Sequence, residues 1–107
     1  MAKKHYLCTH TWVSPEAREQ GIKITSKMKD SELVAALNTD KAELLQHWMG
    51  KEDFFYCHWY ADDEDSIFEA LEGAGFNDVM ASLPHEMHRY MTVENLTNQP
   101  LINPDEQ

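Results

Sequence analysis

The stretch that most restricts the fold of this chain is Asp53–Ala61, Asp-Phe-Phe-Tyr-Cys-His-Trp-Tyr-Ala. Five aromatic residues, a cysteine and a histidine share these nine positions, and acidic polar segments bound the run on both sides. A short aromatic run between polar stretches suits a central β-strand better than a helix. Alternation then puts Phe54, Tyr56, His58 and Tyr60 on one face, and Phe55, Cys57 and Trp59 on the other. The first face is a candidate lining for a pocket or subunit interface. The second suits packing against helices, leaving Cys57 a buried, inert thiol.

The rest of the chain arranges itself around this strand. His5–Val13 reads as a first strand, with Tyr6, Cys8, His10 and Trp12 on one side and Leu7, Thr9, Thr11 and Val13 on the other. Ser14-Pro15-Glu16 supplies a cap, a first-turn proline and an early acid, so a helix starts there and runs toward Met28. A second short helix follows from Asp30 or Ser31 to Leu37. Ala42–Met49 reads as a second strand joined to the aromatic one by a compact turn. An even-length hairpin without a bulge would put His47 and Met49 on the face of Tyr56 and His58. Asp62–Ala74 is helical, its acidic start favourably placed at the positive end and Gly75 closing it. Asn77–Pro84 reads as a connection and His85–Val93 as a fourth strand. Residues 94–107 form a polar tail beyond a single domain of residues 1–93.

The order β-α-β-β-α-β defines an α+β, ferredoxin-like unit. Right-handed crossovers set the first strand between the third and fourth in a four-stranded antiparallel sheet, with the helices on one face. The other face, rich in tryptophan and tyrosine, is more apolar than a monomer usually leaves open. A homodimer is expected, two sheets packed as a dimeric α+β barrel around a cavity, with the tail reaching the partner.

The formal charge of −10, from 19 acidic against 9 basic residues, disfavours binding to nucleic acid or an anionic membrane. No apolar run approaches a membrane span or an export signal, so a cytoplasmic protein with reduced cysteines is expected.

Trp48-Met49-Gly50, then Phe55-Tyr56-Cys57-His58-Trp59-Tyr60-Ala61, then Asp65, Ile67, Leu71 and Gly75 resemble a family of small nickel-responsive proteins. Its members are ferredoxin-like domains, largely uncharacterised, within the dimeric α+β barrel group. The resemblance covers about a third of the chain clearly. It implies the fold, dimerisation and a nickel-like metal. The chain departs from the pattern in its longer first-to-second-strand segment and in His58 after the cysteine.

Six histidines invite a metal reading. Cys8 and His10 alternate on one strand, and His58 and His88 lie on its expected neighbours. Facing the open side together, these four would bind zinc, nickel or copper. In the competing reading, Cys8 packs as a small hydrophobe and the histidines line a polar cavity. His85 and His88 lack the spacing of a helical zinc-protease motif. An aromatic pocket is the other candidate, with Tyr6, Trp12, Tyr56, Tyr60 and Tyr90 around a ligand. Barrel-like dimers of this group include cofactor-independent monooxygenases, in which such a histidine acts as a base. Two functions are therefore carried forward: a dimer binding a metal or small ligand through strand histidines, and a small oxygenase.

Overall fold

Alternating side chains and β-branched or aromatic content produce four strands: β1 (Lys4–Trp12), β2 (Ala42–Met49), β3 (Phe54–Ala61) and β4 (Met80–Met87). They pair antiparallel in the order β2-β3-β1-β4. This is the ferredoxin-like α+β arrangement, seen in a computed structural model that describes residues 2–106. Three α-helices connect the strands: α1 (Pro15–Thr25), α2 (Asp30–Leu37) and α3 (Glu64–Gly73). Short 3-10 turns follow at Val93–Asn95 and Pro104–Glu106.

Local chemistry sets the helix ends. The Ser14 hydroxyl accepts from the Ala17 amide at 3.0 Å, satisfying one of the unpaired donors that begin α1. Asp63 does the same for α3, accepting from both the amide and the hydroxyl of Ser66. α1 stops at Thr25, short of Met28, where the Thr25 and Ser26 hydroxyls bond back to the Gly21, Ile22 and Lys23 carbonyls. Gly75 takes φ +80° just beyond α3, where a side chain would be strained.

The core lies between the sheet and the helices. Tyr6, Cys8, Leu44, Phe55, Cys57, Trp59, Ile67 and Leu71 form its centre. The Trp12 indole packs against α1 at Gly21, where an added Cβ would stand within 2.6 Å of the indole Cη2. Glycine here lets helix and strand approach.

Two expected positions differ. β4 starts at Met80 and ends at Met87, so most of Asn77–Pro84 connection belongs to the strand and residues 88–93 do not. Pro84 marks the difference. β4 is an edge strand, where a missing amide donor need not break the ladder. The second difference is a bulge between Leu44 and Gln46. Ala42–Leu44 pair as a bulge-free hairpin requires, but His47 pairs with Cys57 and Met49 with Phe55. One extra residue turns the outer half of β2 over.

Candidate functional site

Register decides which side chains meet. Cys8 lies opposite Cys57, and His10 opposite Phe55, on the face that the helices cover. Leu7 lies opposite His58 and His5 opposite Tyr60, on the open face. The expected grouping of Cys8 and His10 with His58 is therefore not formed, because the sheet itself stands between them. His88 follows the end of β4, and its Nε2 lies 2.6 Å from the Glu86 carboxylate. The aromatic set divides likewise. Tyr6 and Trp12 pack on the helix side, whereas Tyr56, Tyr60 and Tyr90 belong to the open side.

The open face assembles a group that sequence reasoning only half identified. His5 Nδ1 and His58 Nε2 lie 2.9 Å apart in a direct ring-to-ring hydrogen bond. The Gln46 side-chain nitrogen lies 3.0 Å from His58 Nδ1, brought there by the β2 bulge. Tyr90 folds back from beyond β4, its ring centre 4.5 Å from His5 and 4.6 Å from His58. Burial lowers the pKa of both imidazoles, and for His58 the neighbouring His5 lowers it further. Both rings are thus held toward the neutral form, in which unprotonated nitrogens can accept. A cavity of about 350 Å³ opens beside them, lined also by Trp48, Met87 and Met91. Alternation along β1 does not say which face stays open, so His5 becomes legible as a site residue only with the strand register.

Further along this face the sheet presents Trp48, Phe54, Tyr56 and Leu83, each between 41% and 58% exposed. Beyond β4, Val93, Leu96, Leu101 and Ile102 are exposed as well.

On the helix side, His10 is fully buried. Its Nδ1 lies 2.7 Å from the Ser82 hydroxyl, its ring stacks on Phe55, and its Nε2 has no partner among the described residues. Burial, with a smaller effect of His47, lowers its pKa to about 4. His47 Nδ1 lies 3.1 Å from the Tyr56 carbonyl and 3.3 Å from Cys57 Sγ. Burial pushes both thiols up to about 12, so they are neutral thiols rather than nucleophilic thiolates.

Nickel, implied by the resemblance, can be tested against these positions. Among the described residues no three His, Cys, Asp or Glu side chains are grouped to hold an ion. The expected four are split between two faces and an exposed end. The convergent pair is His5 with His58, two donors of the correct type. Comparison of the chain with known families, with curated proteins and with solved structures finds no match. No helix among the described residues is long and apolar enough to cross a membrane.

Proposed function

We propose that this chain is a homodimeric binding module, not a catalyst, in which the open-face imidazoles His5 and His58 hold a divalent transition-metal ion between two facing sheets. The observation carrying this reading is the 2.9 Å separation of His5 Nδ1 and His58 Nε2. With metal–nitrogen bonds of about 2.0–2.1 Å, two ligands at right angles lie about 2.9 Å apart. The spacing suits neighbouring positions around a nickel-type ion, which would replace the hydrogen bond the two rings now make. The Gln46 amide would then be turned so that its oxygen accepts from His58 Nδ1, and the lowered pKa of both imidazoles favours metal over proton. One chain offers two donors, so a second copy supplies the others. The exposed Trp48, Phe54, Tyr56 and Leu83 give that copy an apolar surface to cover.

The test uses tag-free, metal-free protein. Calorimetric titration with nickel or zinc in two buffers of different ionisation enthalpy counts bound ions and released protons, while light scattering gives the mass. Saturable binding by a dimer is expected, with little proton release at neutral pH because both imidazoles are already neutral, and weakened at least tenfold by His5→Ala and by His58→Ala. Binding that survives both variants, or a monomer mass at working concentration, overturns the reading.

A second reading keeps the same residues. The cavity of about 350 Å³ beside the imidazole pair supports a small oxygenase with His58 as base. Oxygen uptake with hydroxylated aromatic compounds, lost in His58→Ala, would favour it; absence of uptake removes it.

A further inference from the structure

The other side of the sheet holds a separate cavity of about 410 Å³, between the strands and helices α1 and α2. Trp12, Leu33, Leu44, Phe55, Phe76 and Met80 form much of its wall. It opens to the surface along a rim that includes the exposed Ser26, Lys29, Asp30 and His47, while the buried Leu44, Phe55 and Met80 form its floor. Its size falls within the range of small-molecule pockets, about 300–1,000 Å³.

Two local features shape it. Trp12 lies across Gly21 and 4.9 Å from the Phe55 ring, so its indole forms one side wall. The bulge in β2 turns His47 onto this face, beside Cys57, and both residues line the cavity.

The polar groups define what fits. His47 Nδ1 lies 3.1 Å from the Tyr56 carbonyl, which can only accept, so Nδ1 carries the proton. That leaves Nε2 with its lone pair, and no described hydrogen bond uses it. The charged lining groups, Lys29 and Asp30, are opposite in sign and adjacent in sequence, at the α1–α2 turn. Cys57 adds a neutral thiol. The Thr25 and Ser26 hydroxyls, also on the wall, donate their protons to α1 carbonyls. At the β2 end the wall thus offers the His47 acceptor beside a broad apolar surface, with no net charge.

We propose that this cavity binds a neutral, mainly apolar molecule of one or two rings carrying a single hydroxyl donor, which bonds to His47 Nε2. The apolar body lies between Trp12, Leu33 and Met80, and the hydroxyl end points toward β2. This site is independent of the open-face imidazoles, from which the sheet separates it.

The probes are 1-naphthol and 1-methoxynaphthalene, which differ in the donor. Added to the full chain, 1-naphthol is expected to change tryptophan fluorescence saturably and to bind at least tenfold tighter than its methyl ether. His47→Phe should abolish that preference while leaving methyl-ether binding within about twofold. Leu33→Trp, which fills the space, should remove binding of both probes while the circular-dichroism spectrum is retained. Should that variant unfold, wild-type protein still decides: saturating 1-naphthol must raise its melting temperature, and 1-methoxynaphthalene at the same concentration must raise it less. Equal affinity for the two probes, an unchanged melting temperature with 1-naphthol, or binding lost in Trp48→Ala but kept in Leu33→Trp overturns the proposal.

Discussion

The Trp12–Gly21 contact makes one glycine substitution opposite in sign to another. Replacing glycine by alanine inside a helix ordinarily stabilises it by about 1 kcal/mol. At Gly73, the last residue of α3, an added Cβ meets nothing within 4 Å, so part of that gain is expected. At Gly21 the same methyl runs into the indole ring of Trp12. Overpacking of that kind costs about 1–3 kcal/mol, which exceeds the propensity gain. Gly21→Ala should therefore lose about 1 kcal/mol net where Gly73→Ala gains a few tenths to about 1. Urea denaturation followed by circular dichroism measures both as midpoint shifts at constant slope. A double-mutant cycle isolates the cause: in a Trp12→Leu background, Gly21→Ala should become neutral or stabilising. If Gly21→Ala stabilises the wild-type chain as much as Gly73→Ala does, Trp12 does not rest on α1. The side wall assigned to the helix-side cavity would then be wrong too.

Further expectations concern acid stability, capping and the thiols. His10 is buried neutral with its pKa lowered from 6.5 to about 4, so the unfolded chain takes up its proton first. Its contribution is full above about pH 6.5 and falls away toward pH 4, by roughly 3 kcal/mol at about 1.36 kcal/mol per pH unit. In His10→Gln the decline in stability between pH 6.5 and 4 should flatten, measured by urea melts across that window; an unchanged slope would place the titration elsewhere. Ser14→Ala removes the acceptor for the Ala17 amide and should cost about 1 kcal/mol, with no loss counting against the cap. Cys8 and Cys57, buried and held neutral, should resist a bulky thiol reagent at neutral pH and react together on unfolding. Rapid labelling in the native state would contradict their burial.

Where the signal is local, the chain's own order was sufficient. Ala42–Met49 is a strand over the expected residues, and Ser14-Pro15-Glu16 starts α1 as its cap chemistry requires. Cys57 packs in the core opposite His58, because adjacent strand residues point apart. Pro84, where the expected connection ends, instead lies within β4, and its place at the sheet edge makes the missing amide harmless.

Periodicity in this sequence established that Tyr6, Cys8, His10 and Trp12 share a side, and that Tyr56, His58 and Tyr60 share one. It could not say whether the two sides coincide, since alternation has no sign until one strand is docked on another. The tertiary register supplied that sign, turning Cys8 and His10 toward the helices and pairing His58 with the overlooked His5. The bulge near Leu45 acted likewise, sending Gln46 to the open face and His47 to the closed one. A two-residue repeat reverses with one inserted residue, so strands and helices were readable from short-range pattern while both candidate sites depended on pairing between distant segments.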